Sequence, residues 1–555
     1  VTPQDQVSIR PANATTAASE TTDSRGLLVL PTPILADALR AAASADPASP
    51  TWLPRVTFEP QATAQDPPTP VAAVPLHRRH TARAFIEIGG FMSYSMTNYW
   101  RKYASFIEDW QFQLTWKDQT RKWFTSEGLR LDSNNMRLNW THGAAGALYY
   151  SIARTNGFGA KGALLFSAGG SLLWEYGAEW REISSINDHI FTSVGGMAIA
   201  EPFFQIGRYF RNREGLANRI GGFATNPMVA IDDMLDGKRR APRVPEDQWH
   251  SFMLSTGALR GVPLPDSDTS TQQVLNLDMA VVTLPSYGKV GTGSGRASRT
   301  LDSAVHIDAN AVGLRIEEFT IRTRTTLFGH WWKNVREDER GNRYGHDLWI
   351  GAQLAWDVFQ KKPIAAYDGH DLGMKDKWLA REQPTHFTDK ISSVHFPGPT
   401  LSLTTYRGRL RTRIDVGAAL NFSLVNALSF NDYSATHDTW GVKTTLHNWG
   451  YYYAIGSTLT ARAEAEYGIW RASAGVDYRH FGSIQGLDRY QHDVTDDSRL
   501  RDSRLVAHIR ASVQVPKSPI FAAVKVEAID RRGSFHETTA RAHETRVSYE
   551  VGIGF

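Results

Sequence analysis

The chain has 555 residues, 41% of them hydrophobic, and a mean hydropathy of −0.36. Its longest nearly apolar run, Gly162 to Trp174, is too short to cross a bilayer as a helix, so a membrane role would require a closed β-barrel. There is no cysteine, which excludes thiolate zinc sites and thiol catalysis, and a net charge of +4 without a dense Lys/Arg stripe points away from nucleic acid as a partner.

Residues 1–82 are rich in Ala, Thr, Pro, Asp and Ser, and Gln65 to Pro75 has the composition of an extended linker. This segment is expected to be a disordered periplasmic linker with one short helix over Pro31 to Ala43. No signal peptide is visible, and Val1 reads as a mature start.

Residues 83–244 change period. Phe85, Ile88, Phe91 and Met92, then Tyr103, Phe106 and Trp110, recur at helical spacing. Between Gly143 and Gly170 small residues cluster at intervals that let helices approach closely. The stretch predicts an all-α domain of roughly five to seven helices, given usual helix lengths.

From about residue 245 the period becomes two. Leu348, Ile350, Ala352, Leu354, Trp356 and Val358 alternate with more polar neighbours, and so do Thr412, Ile414, Val416, Ala418, Leu420 and Phe422. The closing decapeptide is the cleanest case: Val547, Tyr549, Val551, Ile553 and Phe555 alternate with Arg546, Ser548, Glu550, Gly552 and Gly554. A strand with one apolar and one polar or small face suits a wall between lipid and water. Residues 245–555 therefore predict a transmembrane antiparallel β-barrel of about twelve strands, with 17 Trp and 19 Tyr available for interfacial girdles. Long connections are expected near 361–390, 425–449, 482–503 and 531–539. Short turns are expected at Tyr406 to Arg409, Tyr467 to Ile469 and Pro516 to Pro519. Residues 285–300 and 333–346 do not fit this alternation, and Gly288 to Gly295 reads as a mobile loop.

The last strand resembles the terminal strand of bacterial outer-membrane β-barrels, which the barrel assembly machinery reads during insertion. A second resemblance lies in the helical segment. Asn139-Trp140-Thr141-His142-Gly143, Tyr149-Tyr150, Ala153-Arg154, Trp174-Glu175-Tyr176, Glu179, Ser185-Ile186-Asn187-Asp188, Gly195-Gly196 and Glu201 resemble the outer-membrane family named domain of unknown function three-nine-four-three, mainly over residues 95–240. The chain departs from that pattern at Gly143, where proline is expected, and at Ala200, where glycine is expected. The resemblance implies the outer membrane of a Gram-negative bacterium and no particular activity. An even strand count would place the helical domain and Phe555 on the periplasmic side, with the domain at the barrel mouth.

Two groups of residues could carry function. The first is His142, Glu175, Glu179, Asp188, His189 and Glu201, set among apolar and small residues. Burying carboxylates is costly unless they are paired, protonated or cation-bound. Glu175 and Glu179, four apart, would share a helix face. Acid/base work by His142, Glu175, Glu179 and Asp188 on lipid, ester or glycan is one reading. The favoured one is a structural network in which Arg154 and Arg181 neutralise the glutamates and residues 187–188 cap a helix. No metal motif supports a metal site, and no cofactor is expected. The second group is the inward face of the barrel, with Arg322, Arg324, Arg411, Arg413, Asp415, Arg462, Glu464, Glu466, Arg471, Asp477, Arg479, His508, Arg510, Lys525 and Glu527. It would either line a path for anions or form a charge-paired seal. The sequence favours binding or transport of a small anionic or lipidic molecule. The alternatives are a lipid- or glycan-modifying enzyme and a non-catalytic envelope scaffold. The expected partners are outer-membrane lipid, the assembly machinery and a periplasmic protein.

Overall fold

The computed structural model describes residues 79–104, 115–131, 140–179, 182–237, 249–262, 271–284, 287–297, 300–361, 389–434, 437, 445–446, 450–485, 487 and 499–554. The proposed helix over 31–43, Phe106, Trp110, Arg181 and Phe555 lie outside these residues.

Twelve antiparallel strands close into a barrel: β1 (Trp249–Val262), β2 (Thr271–Val282), β3 (Asp302–Val312), β4 (Arg315–Glu337), β5 (Arg343–Lys361), β6 (Lys390–Gly408), β7 (Leu410–Asn426), β8 (Tyr451–Tyr467), β9 (Trp470–Ser483), β10 (Leu500–Gln514), β11 (Ile520–Phe535) and β12 (Thr538–Gly554). Each pairs with its neighbours in sequence. The ring is completed where β12 meets β1, from Thr545↔Val262 to Gly554↔Met253. Closure gives each of the twelve strands a partner on both sides, the condition for a strand wall in lipid. The alternation read from sequence sets the faces: Ile455, Leu459, Ile509, Val526, Tyr549 and Val551 point outward and are exposed. Tight turns at Gly408, Gly468 and Lys517, all with positive φ, lie at the end where β12 finishes. The expected long connection at 531–539 is instead a tight hairpin, with β11 reaching Phe535 and β12 starting at Thr538.

The irregular stretch at 285–300 is a strand the periodicity hid. Gly291–Ala297 pairs with residues 329–335 of β4, collinear with β3, which takes residues 315–326. Both stretches therefore run along the same side of β4, one after the other. The glycines of Gly291–Ala297 are functional for packing: a Cβ on Gly293 or Gly295 would stand 3.2 or 3.1 Å from the Trp331 ring. That glycine run gave no alternating pattern, which is why it read as a loop.

Eight helices precede the barrel among the described residues: α1 (Thr81–Ala104), α2 (Trp116–Phe124), α3 (Trp140–Thr155), α4 (Ala160–Leu173), α5 (Ile186–Ile190), α6 (Gly196–Arg211), α7 (Leu216–Thr225) and α8 (Pro227–Leu235). The number exceeds the expected five to seven because α5 and α8 are short. Two π-turns, Trp174–Ala178 and Phe191–Gly195, interrupt the path from α4 to α6. The helices do not sit across a mouth as expected. They rest on the outward face of the barrel wall.

The seat is a single hydrogen-bonded row. Phe252 pairs with Met279, Met279 with Val305, Val305 with Thr323, Thr323 with Trp356, Trp356 with Val394, and Val394 with Phe422. Phe191 meets Phe422, Gly195 faces Val394, Thr323 Oγ1 donates to the Ala198 carbonyl at 2.8 Å, and Tyr209 and Phe210 pack on Phe252. The helical path from Phe191 to Tyr209 is about 27 Å at ~1.5 Å per residue. Six strand spacings of ~4.8 Å come to about 29 Å, so one helical path spans seven strands. Phe191, Met197 and Ala198 are fully or nearly fully buried there with Leu354, Trp356, Val358, Val394, Phe422 and Leu424.

Two local features hold the layer. Where α3 crosses the π-turn before α6, a Cβ on Gly146 would lie 1.8 Å from the Thr192 carbonyl oxygen, so only glycine permits the approach. Glu201 of α6, fully buried, accepts from Arg154 (2.9 and 3.1 Å), Tyr150 (2.7 Å), Gln205 (2.6 Å) and Thr300 (2.7 Å). Thr300 belongs to the break between the strand Gly291–Ala297 and β3, so this carboxylate ties the helices to the barrel.

Gly146→Ala is expected to destabilise the helical layer by about 1–3 kcal/mol through overpacking. Gly169→Ala, with open space around the added carbon, should be neutral or stabilising. Thermal unfolding followed by tryptophan fluorescence compares them. Arg154→Met, by stranding the Glu201 carboxylate, should cost about 3–5 kcal/mol. Adding Glu201→Gln to that variant should recover a large part, as a double-mutant comparison of the same melts would register.

Candidate functional site

The first candidate group separates into two places. Glu201 belongs to the clamp with Arg154. Burial pushes its pKa up, but Arg154 and the hydrogen bonds from Gln205, Thr300 and Tyr150 more than offset this and hold it below the ordinary glutamate value. The other residues gather at the π-turns. His142 Nε2 lies 3.4 Å from Asp188 Oδ1, and the Asp188 amide donates to Ser185 Oγ at 3.1 Å, capping α5. Glu175 Oε2 accepts from the Ser185 amide at 2.9 Å, and Glu179 Oε1 accepts from Trp174 Nε1 at 3.0 Å. The two glutamates do not share a helix face. Glu175 lies in a π-turn and Glu179 caps its end in a non-helical conformation, so four-residue spacing no longer aligns them.

His189 stands between two hydroxyls, with Ser171 Oγ 3.0 Å from Nδ1 and Ser184 Oγ 3.0 Å from Nε2. Burial first, and then the Lys122 ammonium, lower its pKa and favour the neutral ring. Lys122 of α2 reaches in from a separate segment and donates to the carbonyl oxygens of Glu175 and Glu179. No local motif announces that contact in the sequence. None of His142, Glu175, Glu179 and Asp188 lines the lumenal cavity.

That cavity is the second place. It encloses about 350 Å³ and is lined by inward side chains of every barrel strand. At one end, inward Ile391, Val425, Tyr452, Phe481, Leu500 and Phe535 close around Phe430 of the helix α9 (Leu428–Ser434). At the other, Tyr287 sits between Trp249 and Trp349, with ring centroids 5.6 and 5.4 Å away, and shares a 2.8 Å hydrogen bond with Thr404. The described residues thus form a chamber between two aromatic floors.

The lining carries ten Arg/Lys and nine Asp/Glu, most of them in contact with one another. Arg546 grips Glu318 with two bonds of 2.6 and 2.7 Å and reaches Glu544 at 2.9 Å. Arg322 pairs with Asp477, and Arg479 and His395 share Asp357. Arg324 and Arg413 both approach Asp302 at 3.4 Å, and Arg413 also meets Asp415 at 3.0 Å. Arg510 pairs with Glu550 at 3.0 Å. Arg411 pairs with Glu466 at 2.9 Å and lies over Trp249, in the floor rather than the cavity. Charges removed from bulk water need such partners.

Arg462 is the exception. Its side chain is exposed to the cavity, and no carboxylate of the described residues lies within ion-pair distance of it. Asp477, on the neighbouring strand, is already committed to Arg322. The sequence assigned Arg462 to the inward face along with the other arginines. It could not tell which arginines are neutralised, because the pairing runs across strands. Arg546, Glu318 and Asp302 were missing from the expected site for the same reason, although alternation in the last strand already turned Arg546 and Glu550 inward.

No curated protein matches the chain. Among solved structures, it is similar to OmpT, an outer membrane protein of Vibrio cholerae, at 7% identity and a TM-score of 0.20, covering 56% of this chain and 97% of that one. It is also similar to OccK8 (OprE) of Pseudomonas aeruginosa (9%, 0.15, 56% and 98%) and to the translocator domain of the autotransporter NalP from Neisseria meningitidis (10%, 0.18, 59% and 92%). At these TM-scores the architecture stands on the strand pairing alone. Residues 128–228, from the end of α2 to the start of α8, match the family model described as domain of unknown function (DUF3943), in agreement with the landmarks between Asn139 and Glu201.

Proposed function

We propose that the protein is an outer-membrane barrel that binds a small oxyanion in its lumen and passes it when one of the two floors moves. The observation that carries this reading is Arg462, a cation exposed to a 350 Å³ cavity whose other arginines and lysines each have a carboxylate within 4 Å, Arg504 only at 3.9 Å from Asp389. A guanidinium offers a planar fork suited to carboxylate or phosphate. Near-balance of the remaining charge makes Arg462 the source of any anion preference and argues for one discrete site. The polar lining favours a small anion over a lipid as the bound molecule. The short turns and the finishing strand would face the periplasm.

The enzyme reading has less support, because the acid/base residues lie outside the cavity, with His142 against Asp188, Glu175 on the Ser185 amide and Glu179 on the Trp174 indole. A scaffold role is compatible with the fold, but no specific observation favours it.

Purified protein in planar bilayers tests the proposal. Wild type should show anion preference in the reversal potential under a salt gradient. Arg462→Glu should abolish or reverse it, and Arg462→Ala should weaken binding of phosphate or a small carboxylate about tenfold or more, the loss of one charge-assisted contact of ~1.5–3 kcal/mol. Arg510→Ala, which removes a neutralised arginine, serves as the comparison. Unchanged selectivity in Arg462→Glu would remove the proposal.

A further inference from the structure

We infer that the helical layer is embedded in the bilayer beside the barrel, with its outer apolar face seated among lipid acyl chains. The inference rests on the barrel being a membrane wall, and three observations lead to it.

The first is where the helices sit. They rest on Phe252, Met279, Val305, Trp356, Val394 and Phe422, outward residues of the same strands whose other outward residues, such as Leu254, Leu275 and Leu420, are exposed and apolar. The seat runs obliquely across the belt, from the start of β1 to the far half of β7. A layer attached there stands at the depth of the hydrocarbon.

The second is the pattern of α4. Its fully buried residues, Ala163, Ser167, Gly170 and Ser171, are all small, Leu164 and Phe166 are half-buried, and Leu165, Leu172 and Leu173 face outward. A helix in water does the reverse, turning its large apolar residues to the core. Small residues inside and large apolar ones outside is the arrangement of helices packed in lipid.

The third is continuity. Phe85 and Ile86 of α1 and Ile220 and Phe223 of α7 are also exposed, and Phe85 lies 5.0 Å from Phe166 of α4. Leu165 and Ile86 are each 72% exposed, as open as Ile509 on the bare barrel wall at 66%. No helix of the described residues is long and apolar enough to cross the membrane by itself. The layer would therefore lie in the bilayer by virtue of its seat on the barrel, its outer surface replacing the wall it covers. This makes the occupant lipid rather than a protein: a protein partner would have to displace lipid from the bare wall on both sides of the layer.

The chain lacks cysteine, so single labels are clean. Leu165→Cys, Leu172→Cys and Ile86→Cys are to be labelled with bimane in the full chain and reconstituted in phosphatidylcholine vesicles with or without mid-chain bromine. Leu459→Cys on the bare wall and Lys517→Cys on an exposed turn are the references. The inference expects the three helix labels to lose fluorescence to brominated lipid as fully as Leu459→Cys does, with Lys517→Cys unaffected. If they keep their signal like Lys517→Cys while Leu459→Cys is quenched, the layer is outside the hydrocarbon and the inference is overturned, with the lumenal proposal intact. If Leu459→Cys is also unquenched, the membrane reading of the barrel falls and both go with it.

Discussion

The molecule depends on one constraint: a strand wall has two faces, and each must find a different partner. Inward, the wall of β1–β12 presents arginines, aspartates and glutamates. Outward, it presents Leu, Ile, Val and aromatic rings. Across seven strands the outward face is not left bare but becomes a floor for α6, aligned along one hydrogen-bonded row from Phe252 to Phe422. Because the path from Phe191 through α6 and a run of seven strands cover nearly equal distances, the row carries it along its whole length. The Glu201 clamp then works as a pin to the barrel at Thr300, just before β3.

The inward face meets the opposite demand. Its charges are withdrawn from bulk water, and each has to be answered by a neighbour on an adjacent strand or across the lumen. Arg546 with Glu318, Arg479 with Asp357 and Arg510 with Glu550 are answers of this kind. They specify register as much as they add stability, since a one-residue slip would turn each member outward. Against that background a cation that faces space is informative, and the proposed anion site rests on Arg462 for that reason.

Much of this was legible in the residues. Period two revealed the barrel, its strand number and which residues face inward, because lipid and water impose opposite demands on successive positions. The helical segment was visible from its spacing and its small residues. What the sequence hid depends on contacts between distant segments. Gly291–Ala297 pairs as a strand although its glycines, which leave room for Trp331, give no alternation. Glu175 and Glu179 diverge because a π-turn intervenes. Lys122 reaches them from a helix with no marker of that role. The position of the helices was misjudged for a related reason: an apolar residue such as Trp356 or Phe422 on the outer face looks the same in sequence whether lipid or a helix covers it.

The seat of the helices on the outer wall is therefore the claim to test most directly. Gly195 and Val394 face each other across it, with a Cβ on Gly195 placed 3.1 Å from Val394 Cγ2. In a chain without cysteine, Gly195→Cys combined with Val394→Cys should form a disulfide under mild oxidation, seen as a mobility shift that a reductant reverses. Failure to cross-link, with both single cysteines freely modified by a water-soluble maleimide, would contradict the account.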